Sequence, residues 1–354
     1  MPSEISVIQE HGTEIAEMFY VGDTPWHGFG QKLDAPATAE EAIAAAHLDW
    51  DVALEPVYSF GGMAQGGFGV EDPYRFVRRQ DNKAILGLRT SRYTVVQNRD
   101  SFGLFDAVGG PGQGVYHTAG ALRGGKVVWI LAKVGDRRTV VSGDEVEPYI
   151  LLSTSHDGSL PLQMRPTLVR VVCSNTLTYA LGRKDFQSDV ITIRHTGNVA
   201  NKAVAARKAL KLTETYFDRM MEGVDQLVNK PMSETSMKNF ALSLYSADGD
   251  ESTHRYTVET LDRLNKLFIT GRGQELPGVR GTAWAAYNAV TEFVDYFERV
   301  GHGEIGEATD ERLAKSWFGK GRDRKIQAWL RLQSFARSAE REFPKPQTTV
   351  TTLA

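Results

Sequence analysis

The spacing of apolar residues changes character partway along the chain. From residue 50 to about 195, apolar positions come in short runs. Some alternate with polar residues, others are continuous, and turn formers separate them. That spacing predicts strands at Trp50–Tyr58, Tyr74–Arg79, Ala84–Thr90, Tyr93–Val96, Val115–Ala121, Lys126–Val134, Arg137–Val141, Tyr149–Ser155, Leu162–Val172 and Val190–Arg194. Two helices interrupt this series. Thr38–His47 opens with Thr38 and Glu41 at capping-box spacing, and Asn98–Val108 carries Phe102, Phe105 and Val108 on one face. Beyond residue 198 the period becomes helical. Helices are expected at Val199–Leu227, Ser236–Tyr245 (with Ser233 as cap), Thr257–Ile269, Thr282–Val300, Leu313–Phe318 and Arg324–Glu342. The chain therefore reads as an α+β protein. Its N-terminal half is strand-rich, with antiparallel hairpins and a packed helix, and its C-terminal half is mainly helical. The expected division is a strand-rich domain over 1–195, a helical region over 196–343 and a flexible tail over 344–354.

One stretch organises the strand-rich half. Tyr149 to Ser155 is an extended run, and His156-Asp157-Gly158-Ser159 is a turn because Asp-Gly readily adopts the positive φ a tight hairpin needs. The chain resumes at Leu162 with β-branched residues and two arginines, Arg165 and Arg170. After Cys173, Ser174 or Asn175 stands where a helix cap would, with Leu177, Ala180 and Leu181 at helical spacing.

Charge adds a second pattern. The formal net charge is −3, but residues 1–70 carry eleven acidic residues and one basic (−10), whereas residues 71–194 carry seventeen Lys/Arg and twelve Asp/Glu (+5). A basic middle behind an acidic front points toward a polyanionic partner. The single cysteine excludes an internal disulfide framework and a cysteine-rich zinc site. No apolar run approaches the roughly 20 residues of a membrane span, and the N-terminus lacks the features of a signal peptide. A soluble cytoplasmic protein without membrane contact is the expectation.

Catalytic chemistry has no visible signature. The eight histidines are scattered without metal-ligand spacing, and no nucleophile elbow or Ser-His-Asp pattern stands out. No catalytic residue, metal or cofactor is assigned, and a non-enzymatic role is the expectation. The glycine-rich aromatic loop Thr24–Gly30 suits either a plug on the core or a stacking surface for a base. Basic residues interleave with aromatics at Tyr74-Arg75-Phe76, at Arg92-Tyr93 and from Arg123 to Trp129. Cations neutralise phosphates and aromatic faces stack bases, a combination that suits single-stranded nucleic acid.

Three segments resemble a known family. They are E-M-F-Y-V-G-D-T-P-W-H-G-F-G near the start, the basic turn and strand from Gly120 to Trp129, and S-H-D-G-S…R-P-T-L-V-R-V-V-C-S-N-T-L. On these the chain resembles the phage/plasmid-like proteins grouped as domain of unknown function number 932, over roughly Glu14 to Arg341. The resemblance implies a mobile-element origin and brings no catalytic residues. A strand meander with an Asp-Gly hairpin followed by a helix also looks like the core of single-strand annealing recombination proteins. By that analogy the expected function is single-stranded DNA binding by a homo-oligomer, in strand annealing during recombination. The alternative is a non-enzymatic interaction protein of a mobile element acting on a host factor.

The residues expected to touch nucleic acid are Arg123, Lys126, Arg165, Arg170, Arg75 and Arg92. Arg165 and Arg170 are five residues apart, on opposite faces of a regular strand, so they share a groove only if the strand bends at Pro166.

Overall fold

A computed structural model of the chain describes residues 6–10, 12–22, 30–60, 68–109, 116–170, 175–177, 191–193, 216–245, 255–298 and 311–346. The fold is α+β, with strands mostly in the N-terminal half and helices mostly in the C-terminal half. The strands are β1 (Val7–Glu10), β2 (Thr13–Ala16), β3 (Met18–Val21), β4 (Gln31–Leu33), β5 (Val52–Phe60), β6 (Phe68–Arg79), β7 (Ile85–Thr90), β8 (Tyr116–Leu122), β9 (Val127–Lys133), β10 (Arg138–Val141), β11 (Asp144–Ser155), β12 (Leu162–Arg170), β13 (Asn175–Leu177) and β14 (Ile191–Ile193). Among the described residues they form a large sheet of order β13-β12-β11-β9-β8-β3-β4, with β10 also on β11 and β14 also on β12. A separate three-stranded antiparallel sheet has the order β5-β6-β7, and β1 pairs with β2 alone.

Two compact units share the chain. The first comprises Met1–Val134, Tyr149–Pro166 and Val190–Glu214, and the second Gly135–Pro148, Thr167–Asp189 and Thr215–Ala354. In the first, the alternating set Val128, Ile130 and Ala132 of β9 joins Ile150 and Leu152 of β11. They share one core with Ala42, Ala45 and Phe102, which come from helices α1 (Ala39–Ala45) and α2 (Asn98–Gly109). Trp129 and Leu131, on the other face of β9, are buried too. A strand buried on both faces reads as a continuous apolar run, as β9 does. Helix α1 starts with the expected capping box: the Glu41 backbone N–H donates to Thr38 Oγ1, and the Glu41 carboxylate accepts from the Thr38 N–H at 2.9 Å.

The second unit holds a helix over 216–228 (α3), α4 (Glu234–Tyr245), α5 (Arg255–Thr270), α6 (Ala283–Glu292), α7 (Glu311–Phe318) and α8 (Lys320–Arg337). Helix α6 is buried on every side and continues into a π-helical turn over Phe293–Phe297. Trp284 and Tyr287 of α6 lie 6.0 Å apart between ring centroids, and Tyr287 meets Trp329 of α8 edge-on at 5.3 Å. Thr282 and Ser233 cap α6 and α4 through their hydroxyls, satisfying N–H groups that helix starts leave over. Among the described residues, no helix is long and apolar enough to cross a membrane.

Two expectations are corrected. The helix expected after Cys173 is a strand at Asn175–Leu177, where β13 pairs antiparallel with β12 through Leu168↔Leu177, Val169↔Thr176 and Arg170↔Asn175. The ladder edge offered by β12 outweighs the local capping chemistry of Asn175. The strand expected at Tyr93–Val96 is irregular. There the Gln97 side-chain amide takes both ladder bonds on Val52, accepting from its N–H and donating to its C=O at 2.9 Å each, so a side chain replaces a strand backbone. Strands β1 to β4 had no sequence expectation. Cys173, Ser174, the 24–29 part of the aromatic loop, the 199–215 part of the first long helix and the tail from 347 lie outside the described residues.

A candidate nucleic-acid interface around Arg89 and the hairpin tip

The hairpin between β11 and β12 turns at Asp157-Gly158 as expected, with Gly158 at φ +70°. Its tip is built from short polar links. The Ser155 hydroxyl donates to Leu160 O at 2.9 Å and accepts from Leu160 N at 2.8 Å, and the Ser159 N–H donates to Asp157 Oδ1 at 2.8 Å. His156 is fully buried, with its N–H on Lys126 O at 2.8 Å, its Nε2 3.0 Å from Asn98 Oδ1 and its ring 5.3 Å from that of Trp50.

Strand β7 lies against this tip because two glycines let it. A β-carbon on Gly87 would stand 2.9 Å from Asp157 Cα, and one on Gly158 would stand 2.3 Å from Arg89 Nε. The Arg89 guanidinium therefore lies directly on the Gly158 backbone. Alternation along β6 and β7 puts Arg75, Val77 and Arg79 on the same face as Gly87 and Arg89, and the register pairs Arg75 with Arg89. Val77 and Arg79 are buried at the inner end of that face. Two like charges directly opposite across a ladder repel. Arg75 answers with Asp72 at 2.8 Å and the Tyr74 carbonyl at 2.7 Å. The Arg89 Nε is buried with no hydrogen-bond acceptor.

The basic turn 123–126 is held rigidly beside the same tip. Arg123, Gly124 and Gly125 all have positive φ (+56°, +70°, +92°), and the Gly125 N–H donates to Ser6 Oγ at 2.8 Å. A β-carbon on Gly125 would press on Trp50 and Arg79. Beneath it Arg79 stacks over Trp50 at 4.2 Å and pairs with the buried Glu17 carboxylate, which also accepts from Trp50 Nε1 at 3.1 Å. Burial acts to raise the Asp157 carboxyl, but hydrogen bonds from Ser159 and Ser155 and the Lys126 charge hold it below the ordinary carboxylate range. Burial pushes the Tyr93 phenol up to about 12, with Arg89 opposing and Asp157 adding to the rise.

Of the residues expected at the interface, Arg75 and Lys126 are thus drawn to the hairpin tip, and Arg123 is exposed on the Lys126 turn. Arg92 is exposed on the turn after β7, next to Ser91, whose N–H donates to Pro73 O at 2.8 Å. Arg165 is half-buried on β12, donating to Gln163 Oε1 at 3.3 Å. Arg170 belongs to the second unit and is fully buried. Its guanidinium spans Asp144 and also donates to the Arg272 and Gly273 carbonyls, so no surface of it faces a partner. Arg89 was not among the expected contacts. Its signal, a cation directly opposite Arg75, exists only once the register is known.

The fold and site define an α+β protein that presents a cluster of arginines and a lysine around a β-hairpin tip. Residues 85–329 match the family described as "Domain of unknown function (DUF932)", and the chain belongs to that family. No curated protein and no solved structure matches the sequence.

Proposed function

We propose that the protein binds single-stranded nucleic acid, with Arg75, Arg89, Lys126 and Arg123 on the sugar-phosphate backbone, and that it serves strand annealing in phage- or plasmid-borne recombination. One observation carries this reading: Arg75 and Arg89, neither of them fully buried, face each other across the β6–β7 ladder. A phosphate held between the two guanidiniums would relieve the like-charge repulsion, since guanidinium matches phosphate in both charge and geometry.

The test is fluorescence anisotropy with labelled oligothymidylate over a salt series. Binding should weaken with salt, and each phosphate contact should contribute about 0.7 to the slope of log affinity against log salt. The double variant Arg75→Ala/Arg89→Ala should flatten that slope by about 1.4. Arg99→Ala should leave it unchanged, because Arg99 is ion-paired with Asp51 elsewhere on the surface. A parent protein without salt-dependent binding to any single strand overturns the proposal.

A further inference from the structure

Helix α6 is buried along its whole length, but the π-helical turn that follows it is not. Phe293, Val294 and Asp295 are buried, whereas Tyr296 and Phe297 are half-buried. The rings of these two lie 6.5 Å apart between centroids. Each has an arginine over its face. The Arg263 guanidinium, from α5, stands 4.9 Å from the Phe297 centroid, and that of Arg272, from the loop after α5, stands 5.3 Å from the Tyr296 centroid. The loop is fixed to the same segment, because the Arg272 N–H donates to Glu292 Oε2 at 3.2 Å. Arg263, Phe297, Tyr296 and Arg272 thus form one unbroken run of contacts within the second unit.

A third stack nearby shows the contrast. Arg324 lies 4.2 Å over Tyr245, but its edge is closed by an ion pair with Glu298. Among the described residues, neither the Arg263 nor the Arg272 guanidinium has a hydrogen-bond or ion-pair partner. The carboxylates of the π-helical segment are all engaged: Glu292 by the Arg272 N–H, Asp295 by Lys325 and Ser316, Glu298 by Arg324. Asp262 precedes Arg263 in the chain and so points about 100° away around α5. Lys266, one turn on from Asp262, offsets its charge. Arg272 is exposed and Arg263 half-buried, so solvent reaches both.

The shape of a stacked guanidinium decides what it takes. The ring beneath holds its plane, its edge presents N–H groups in the fork that matches phosphate, and its outer face can stack on a further flat π-system. Two such groups over neighbouring rings suit a ligand that combines oxyanions with flat rings, and a single strand of nucleic acid does so. A polycarboxylate would satisfy the edges alone. We propose that Arg263 and Arg272 form a second single-strand contact, on the helical unit, with phosphates at both guanidinium edges and a base on the outer face of Arg272. The ligand is that of the function proposed above, on which this contact rests, but none of the hairpin-tip residues takes part, so either set of contacts can fail alone.

The experiment is anisotropy with labelled oligothymidylate over a salt series. Arg263→Ala/Arg272→Ala should weaken binding at low salt and flatten the slope of log affinity against log salt by about 1.4, both in the parent and in the Arg75→Ala/Arg89→Ala background. Arg322→Ala should leave the slope unchanged, because Arg322 is already paired with Asp323 in the same unit. Arg263→Lys/Arg272→Lys keeps both charges and serves as the readout if the alanine variant does not fold. It should keep the parent slope and lose at least threefold in affinity, because an ammonium neither forks nor lies flat. Polyglutamate should displace the labelled strand less well than unlabelled oligothymidylate of equal charge. An alanine variant that binds with the parent's affinity and slope overturns the inference and leaves the hairpin tip standing, and so does a lysine variant that binds as the parent does. Polyglutamate that competes equally well also overturns it, in favour of an acidic protein partner. If Arg75→Ala/Arg89→Ala binds like the parent while the Arg263 and Arg272 changes reduce binding, the hairpin tip fails and this contact stands. A parent that binds no single strand overturns both.

Discussion

Arg170 and Asp144 meet in a two-pronged ion pair, Nε to Oδ1 at 2.7 Å and NH2 to Oδ2 at 2.9 Å, and neither side chain reaches solvent. Asp144 Oδ2 also accepts from Trp284 Nε1 at 2.8 Å, so one carboxylate ties β11, β12 and α6 together. Removing one member leaves the other charge buried without its counterpart. Arg170→Ala should therefore destabilise the protein by about 3–5 kcal/mol, read by chemical denaturation. Arg170→Lys should recover little, because an ammonium cannot span both oxygens and two carbonyls as the planar fork does. In the anisotropy assay Arg170→Lys, where folded, should keep the parent salt slope. A flattened slope would place Arg170 at the interface.

At the hairpin tip, Gly158→Val should cost on the order of 1 kcal/mol or more from its positive φ alone. The added side chain would also push the Arg89 guanidinium off the Gly158 backbone. Thermal stability should fall and oligothymidylate binding should weaken together. An unchanged melting temperature would contradict the φ assigned to Gly158.

The turn that carries Arg123 and Lys126 can be tested apart from Arg89. Arg123→Ala/Lys126→Ala should lower affinity at low salt and flatten the salt slope by about 1.4, one contribution of about 0.7 for each cation. Gly124 and Gly125 are kept, so the turn itself should persist. A double variant that binds with the parent's slope removes this turn from the interface.

In the second unit, burial raises the Glu292 carboxyl above its ordinary 4.5, and the nearby Asp295 charge adds to this against the Arg272 N–H and the Arg272 and Arg170 charges. Between 4.5 and the raised folded value, the folded chain holds a proton that the unfolded chain has released. Stability therefore falls as pH rises through that window and is then level with respect to this group. Glu292→Gln, which can still accept from the Arg272 N–H, should lose this fall. Denaturation across a pH series should show the variant gaining on the parent through the window, with a constant difference between them below it and above it. A difference between the two that does not vary with pH would show that the carboxyl is not raised.

Local rules carried much of the fold. Asp157-Gly158, the Thr38–Glu41 box and the Ser233 and Thr282 hydroxyls each act within a few residues, so their roles are visible in the sequence. Helix α6 is legible as apolar and aromatic for the same reason. What failed depends on partners distant in sequence. Asn175 looks like a cap until β12 offers it a ladder edge, and Gln97 replaces a strand by reaching Val52 with its side chain. The candidate site divides along the same line. Arg75, Arg123 and Lys126 stand out as basic residues near aromatics or glycines. Arg89 gains its meaning from the β6–β7 register and from Gly158, and Arg170 loses its apparent one to Asp144, 26 positions earlier in the chain.

The two units take turns along the chain, and this has a practical consequence for anyone cutting it. The helical unit draws Asp144 from Gly135–Pro148 and Arg170 from Thr167–Asp189, while Tyr149–Pro166 between them serves the other unit. A fragment ending at residue 195 carries away the anchor of Trp284, and a fragment starting there begins without it. No single cut sorts the residues of the two units into separate pieces, so domain-by-domain expression is the wrong way to test the proposed binding. Point substitutions in the intact polypeptide are the right one.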